Sequence, residues 1–411
     1  MDERPWRNRE LASRWISSRT HRQARGTTLY VCEVVSSFRP VIGGAQTATE
    51  ALAAALHKDG VDVVILTRRY DRSHRRHEVV RGVPVHRLGI PGATKWHAIS
   101  FGLDVLLQLV VRFRRYRIIH VQNIDTPMLV GLAARLLLRR RLVATIHGES
   151  KIIKASASRA GRLRLAMMRR FIDRYTSINP EVANHLRGIG VPADRIRSIP
   201  NGIDMSIFHP PSIAEREAAR ASLGIRADAV VTLYIGRFVP VKRIDLLIDA
   251  WAQLPGREGY QLLIVGEGPS EPDLRALVAR RGVEARFDPS TPDVPRYLRA
   301  SDVFVLPTGG ARLEDHEGLS VALMEAMATG LPVIVTSGPG NDVLVPDPSV
   351  GWKFPVGDSE QLSAVLGQVL ASPEHRSAVG AAAHRSIEQR YSIEHVARLT
   401  ADLYAELAPA D

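Results

Sequence analysis

Two rhythms of hydrophobic positions alternate along this chain. Short unbroken apolar runs come first in "TLYVCEVVSS", "VDVVILT", "RIIHVQ" and "RLVATIH", and again later in "AVVTLYIG", "YQLLIVGEG", "DVFVLPT" and "LPVIVT". Runs of this length without polar alternation predict strands buried on both faces of a parallel sheet. Between them the apolar spacing changes to three and four, as in "AQTATEALAAALHKDG", which predicts a helix ended by Gly60. The alternation restarts halfway along, so the expected class is α/β, with two doubly wound domains. The join is expected in "PNGIDMSIFHPPSIAERE", where Asn-Gly and Pro-Pro signal irregular backbone. Residues 1–26 are Arg-rich with little periodicity and read as a basic tail, in which Trp6, Trp15 and Ile16 could touch a membrane or partner. The expected domains are 27–205 and 206–385, with a closing segment over 386–411.

Composition narrows the picture. With 411 residues and 45% hydrophobic content the chain can bury a core for two or three domains. Charged residues at 24% argue against wholesale disorder. The single cysteine, Cys32, lies in an apolar run, which leaves no intrachain disulfide and no Cys-based metal site and fits a reducing, cytoplasmic setting. The apolar stretches "FGLDVLLQLVV" and "MLVGLAARLLL" fall short of the roughly 18 residues a membrane span needs, and the first residues carry no apolar leader. A soluble or peripherally bound protein is expected. Residues 1–205 hold 36 Lys and Arg against 16 Asp and Glu, and residues 206–411 hold 19 against 27. A basic first half suits an anionic partner, be it a membrane surface, a nucleic acid or a phosphorylated small molecule. The plainer reading of the basic residues is a genome-wide bias toward arginine.

Ligands of doubly wound sheets bind beyond the carboxyl ends of the strands, and two such domains would share a cleft. Residues just after strands are therefore the candidates. In "YIGRFVPVKRIDLLIDAW" a strand runs into Gly236, then Arg237 and Lys242, two cations that can aim at one diphosphate. The plainer reading is two solvated turn residues. In "EGLSVALMEAMATGLPVI" Leu319, Ala322, Leu323, Ala326 and Met327 recur at helical spacing, with Glu317 ahead of the helix and Glu325 two turns inside it. At 1.5 Å per residue the two carboxylates stand roughly 12 Å apart, about the reach from a donor sugar across a diphosphate to a ribose. Free amides of Gly318, Leu319 and Ser320 at the helix start would face the diphosphate. The plainer reading gives one glutamate to the helix dipole and one to structure.

Gly43-Gly44 after the first strand allows close backbone approach to an anion, or simply makes a turn. His147 ends an apolar strand in "VATIHGES" and would face the cleft. "LLIVGEGPSE" resembles half of a dinucleotide turn but lacks the third glycine and the later acidic residue, so NAD is discounted. In "LEDHEG" the neighbours Glu314, Asp315, His316 and Glu317 cannot easily all wrap one ion, and no Asp-x-Asp triplet occurs, so no metal is expected.

Taken together, "GGAQTATEALAAAL", "TIHGES", "IPNGIDMSIFHP", "YIGRFVPVKRIDLLIDAW", "LLIVGEGP" and "EGLSVALMEAMATGLPVIVT" resemble the retaining glycosyltransferases of family 4, from about residue 30 to about residue 357. The resemblance implies a GT-B fold, two Rossmann-like domains facing across a cleft. It implies an acceptor-side domain over 27–205, a nucleotide-sugar-binding domain over 206–385 and a C-terminal helix in 386–411 that crosses back to the first domain. It places Arg237 and Lys242 on the donor diphosphate, Glu317 near the donor hexose, Glu325 on the ribose hydroxyls and Gly43-Gly44 at the diphosphate from the other domain. His147 would contact the sugar or align the reacting groups. It also implies transfer without a metal and with retention of configuration. Departures occur at "ARFDPSTPDVPRYL", at the long acidic loop "TGGARLEDHEGLS" and at "SGPGNDVLV", where Asn341-Asp342 stands in place of a common Glu. They bear on which base and sugar are taken.

The expected reaction moves a sugar from a UDP- or GDP-hexose to an acceptor hydroxyl, with the leaving phosphate taking the acceptor proton on the same face. The acceptor is expected on the basic first domain, as an anionic or lipid-linked molecule or as a soluble scaffold. The stretch "KIIKASASRAGRLRLAMMRRFIDR" reads as one amphipathic helix with Leu163, Met167, Met168, Phe171, Ile172 and Tyr175 roughly on one side, or, more plainly, as an ordinary surface helix that covers the domain. Such a basic helix suits peripheral contact with anionic lipid at the inner face of a membrane. A rival enzyme of the same architecture is a nucleotide-sugar epimerase. A basic nucleic-acid binder is disfavoured by 6% aromatic content and the lack of any nucleic-acid module.

Overall fold

The computed structural model describes residues 28–40, 43–147, 150–310 and 318–408. Two sheets organise them. The first contains β1 (Tyr30–Val35), β2 (Asp62–Arg68), β3 (His77–Val80), β4 (Val83–Leu88), β5 (Ile118–Gln122), β6 (Arg141–Ile146), β7 (Arg174–Ser177) and β8 (Ile196–Ser198), in the order β3-β4-β2-β1-β5-β6-β7-β8. Every pair is parallel except the β3–β4 hairpin. That hairpin turns through Arg81 and Gly82, both at positive φ, the backbone a tight two-residue turn requires. The second sheet contains β9 (Val230–Ile235), β10 (Tyr260–Val265), β11 (Arg286–Asp288), β12 (Val303–Leu306), β13 (Val333–Thr336) and β14 (Trp352–Phe354), all parallel, in the order β11-β10-β9-β12-β13-β14. These are two Rossmann-like domains of the GT-B type. All eight apolar runs named above are strands. The short or polar strands β3, β4, β7, β8, β11 and β14 add to them.

Strand order places the site. In each sheet the chain reverses its direction of winding once, between β1 and β5 in the first and between β9 and β12 in the second. At such a switch point the loops leave in opposite directions and open a crevice beyond the strand ends. Gly43-Gly44 follows β1, and Gly236, Arg237 and Lys242 follow β9.

The chain joins the domains twice. Residues between β8 and the Ile213–Leu223 helix make the first crossing. The second falls at Ser392, between the Pro373–Tyr391 helix and the Ile393–Leu407 helix. The former packs on the second domain. The latter packs on the Gly44–Lys58 helix and completes the apolar layer with Val31, Val63 and Val85 of the first. The crossings lie side by side. Ile203 donates to Tyr391 O and Ile393 donates to Ile203 O, each at 2.8 Å. A Cβ on Gly202 would come within 2.6 Å of Ile393 Cδ1, so only glycine lets them approach this closely.

One expectation fails. The stretch from Lys151 is not a single amphipathic helix but two, Ser150–Ser156 and Arg159–Phe171, and Tyr175 belongs to β7. Ser158 caps the second helix by accepting from the Gly161 amide, which ends the first. In the second helix Gly161, Leu165 and Met168 face the core, Met167, Phe171 and Ile172 pack against it as grouped, and only Leu163 departs, pointing to solvent.

Candidate functional site

The second domain offers its charge through packed loops. Lys242 ends a one-turn helix over Pro240–Lys242 and is only 9% exposed, whereas Arg237 stands in solvent. The Gly309 amide, just after β12, donates to Val241 O at 3.1 Å and ties the two switch-point loops together. The loop after β10 holds the other side, with Phe238 N donating to Glu267 O at 2.8 Å. The two glycines of "VGEGP" serve this loop contact. Gly266 has φ +147°, and a Cβ there would sit 2.0 Å from Gly236 O. Gly266→Ala is therefore expected to destabilise the fold by about 2–4 kcal/mol. A urea midpoint within error of the parent would contradict the close packing.

The helix of the two-glutamate stretch begins later than its sequence predicts. It spans Val321–Ala328 with Ser320 as N-cap, so Gly318 and Leu319 form the turn that enters it. The amides without an intrahelical acceptor are those of Ser320, Val321, Ala322 and Leu323 rather than Gly318 and Leu319. Nearly every residue of the helix is buried, Glu325 included. Among the described residues the Glu325 carboxyl accepts no hydrogen bond, and burial pushes it up to about 8. Glu317, and with it the "LEDHEG" cluster, lies outside the described residues.

The two domains meet at this helix. A Cβ on Gly44 would lie 3.3 Å from Val321 Cγ2 in the first helical turn, and one on Gly318 would lie 3.2 Å from His147 O. Gly43 is the N-cap and Gly44 the first residue of the Gly44–Lys58 helix. Thus Gly43-Gly44 and His147 of the first domain reach the helix start of the second. The structure does not gather all candidates into one cavity. A pocket of about 20 Å³ beneath His147 is lined by Gln122, Thr145, Thr176 and Asn201, and none of Arg237, Lys242 and Glu325 touches it. That is room for one water.

Beneath His147 runs a buried polar chain whose members are not among the candidates named above. Glu33 on β1, His120 and Gln122 on β5 and Tyr404 on the C-terminal helix are all buried. Burial alone would raise the Glu33 carboxyl. The charge of the His120 ring and hydrogen bonds from His120, Gln122 and Tyr404 overcome it and hold the carboxyl below its usual value. Glu33 is thus ionised and can only accept. Gln122 Nε2 donates to Glu33 Oε2 at 2.9 Å, which turns Gln122 Oε1 toward His147 Nε2 at 2.7 Å. An amide oxygen only accepts, so His147 carries its proton on Nε2. Tyr404 OH donates to Glu33 Oε1 at 3.0 Å, and His120 Nδ1 lies 2.7 Å from the same oxygen. The signal was present in the sequence: a Glu inside "YVCEVV" and a His and Gln inside "IIHVQ" are polar groups in strands that are otherwise apolar. Gln122→Leu is expected to lower kcat by about ten- to hundredfold, as when a partner that orients an imidazole is removed. Donor KM should stay near the parent value, and an equal loss in donor binding would contradict this orienting role.

Residues 42–207 match the family described as Glycosyltransferase Family 4, and residues 215–386 match Glycosyl transferases group 1. A GDP-mannose-dependent monoacylated alpha-(1-6)-phosphatidylinositol monomannoside mannosyltransferase of Corynebacterium glutamicum is 28% identical over 91% of this chain and 97% of its own length. A GDP-mannose-dependent alpha-(1-6)-phosphatidylinositol monomannoside mannosyltransferase of Mycolicibacterium smegmatis is 30% identical over 68% of this chain and 75% of its own. Among solved structures, sucrose-phosphate synthase from Thermosynechococcus elongatus superposes with a TM-score of 0.78 at 23% identity, covering 92% of this chain and 99% of that one, a likeness of fold. The protein is a glycosyltransferase of the GT-B fold. It belongs to glycosyltransferase family 4.

Proposed function

We propose that this glycosyltransferase moves a hexose from a nucleotide diphosphate sugar to an acceptor hydroxyl, with retention of configuration and without a metal ion. The observation that carries this is the Val321–Ala328 helix. Its open amides face the seam between the domains, and the buried carboxyl of Glu325 lacks a partner among the described residues. Helix amides favour a diphosphate, and a carboxylate fits a ribose diol.

In this reading Lys242, Arg237 and the amides stabilise charge growing on the departing diphosphate. His147 and Gly43-Gly44 close the site from the first domain, and Glu317 binds the donor hexose. The leaving phosphate takes the acceptor proton on the face it departs from. The two mannosyltransferases support GDP-mannose as the donor to test first, ahead of UDP-hexoses, and a lipid-linked acceptor on the basic first domain. The setting is the cytoplasmic face of a membrane, with the protein peripheral to it. Nucleic acid has no place in this reading.

Calorimetry with GDP and UDP in chelator tests the donor. One nucleotide should bind with at least about tenfold preference. If neither binds without a divalent ion, the metal-free reading fails. NMR of the product anomeric proton tests retention, and inversion would overturn the front-face route.

A further inference from the structure

We propose that the outer layer of the first domain, centred on the Lys95–Val111 helix, is a docking surface for an anionic lipid bilayer. This helix has two apolar faces. Phe101, Val105 and Leu109 pack into the core. On the opposite side Trp96, Ile99, Leu103, Leu107, Val110 and Val111 stand in solvent, from 48% exposed at Val110 to 79% at Trp96. Their spacing of three and four makes a continuous stripe, about 22 Å long at 1.5 Å per residue. The only other residue of this helix classed as exposed is Lys95. A soluble helix turns charge to water, so one apolar on both sides lacks a covering layer.

Its neighbours continue the pattern. The Thr126–Leu137 helix packs beside it and the Arg159–Phe171 helix beside that. They expose Leu129, Leu136, Leu137 and Leu163. Across the three helices the sole acid is Asp104, turned inward to accept from the Gly89 amide. Against it the same helices carry Lys95 and five arginines of Arg159–Phe171, while Arg135 is paired with Asp173 at 3.0 Å. The loop after Val111 adds exposed Arg112, Arg114 and Arg117, with Arg115 beside them paired to Asp62 at 3.4 Å. A continuous apolar stripe ringed by cations, with a tryptophan at one end, complements the interface of an anionic leaflet.

The placement has a use. The Lys95–Val111 helix follows the parallel strand β4, so its N-terminal end, with Trp96 and Ile99, emerges at the strand carboxyl edge where the cleft lies. A bilayer touching this stripe would bring lipid headgroups to the mouth of the cleft. That consequence rests on the lipid-linked acceptor proposed above; the docking surface itself does not.

The test uses the full chain and vesicles of phosphatidylcholine with or without about a third phosphatidylglycerol. Co-sedimentation should show at least about tenfold tighter binding to the anionic vesicles, weakened by salt. Leu103→Gln with Leu107→Gln, and separately Arg112→Glu with Arg114→Glu, should each lower it by about tenfold or more. Calorimetric binding of the donor nucleotide by the same preparations should stay within about twofold, which also shows that the variants fold. Equal vesicle binding by the glutamine variant would overturn the proposal. So would concentration-dependent self-association of the parent, abolished by the glutamines, in the absence of vesicle binding. Binding that appears only after removal of residues 1–26 would assign the stripe to that segment instead. Loss of vesicle binding with nucleotide binding intact concerns the docking surface alone. Absence of nucleotide binding by the parent concerns the donor reading alone.

Discussion

Replacing Lys242 by methionine is expected to slow sugar transfer by about a hundred- to a thousandfold, the cost of losing one preorganised charge at a site where anionic charge develops. The reason lies in where the fold holds this cation. Lys242 sits on the one-turn helix that follows β9, at the switch point of the second sheet, and only 9% of it is exposed. Its backbone is fixed from two sides, since Lys242 N donates to Val239 O and the adjacent Val241 O accepts from Gly309. A cation fixed at low exposure acts through a lower effective dielectric than one in water. Arg237, five residues earlier, is exposed. Arg237→Ala should therefore cost less than Lys242→Met. Methionine preserves the apolar length, so the unfolding midpoint serves as the control. Steady-state kinetics against donor concentration check the ranking. A loss below about tenfold for Lys242→Met would remove it from the reaction.

The second large effect belongs to Glu325. Burial pushes its carboxyl from 4.5 up to about 8, so near neutral pH the folded protein without ligand holds a proton there. Between those two values the unfolded chain has released that proton and the folded chain has not. Stability is then full below pH 4.5 and falls as pH rises toward about 8, by about 5 kcal/mol for this group. Glu325→Gln should flatten the profile across that window and leave the variant more stable than the parent at pH 8. Denaturant unfolding at several pH values checks it, and a parent profile that rises with pH over this range would contradict it.

The same carboxyl predicts a binding signature. On the reading proposed above, two ribose hydroxyls donate to Glu325 and favour its charged form. Nucleotide binding at pH 7 should therefore release close to one proton, seen as a binding heat that varies with the ionisation enthalpy of the buffer. The glutamine variant should bind about ten- to hundredfold more weakly, the cost of losing hydrogen bonds to a charged acceptor, and release none. Binding without proton release in the parent would leave Glu325 a structural residue.

How much of this was legible in the sequence differs residue by residue. Gly43-Gly44, Gly236, Arg237, Lys242 and His147 follow apolar runs that cannot be solvated. A buried parallel strand must end in a loop at the ligand-facing edge, so their edge could be read before any coordinates. The start of the Val321–Ala328 helix could not, because Gly318, Leu319 and Ser320 fit a turn or a first helical turn equally well. "IIHVQ" and "YVCEVV" announced buried polar atoms, but their partners are far apart in sequence. Tyr404 stands 371 residues from Glu33.

The sequence by itself determined the class, the two winding domains and the edge on which the candidate residues sit, because local apolar periodicity dictates which elements form and where they stop; the family was legible in the motifs rather than in that periodicity. Tertiary structure alone decided the rest, since burial is a property of the assembled layers. It set the order of strands that makes β1/β5 and β9/β12 the switch points, and the approach of Gly44 to Val321 across the seam. It also fixed the proton of His147 through Gln122 and Glu33. "FGLDVLLQLVV" shows the limit most clearly. Its composition suits a core helix, and only packing reveals that one apolar face is buried while the other stands in solvent.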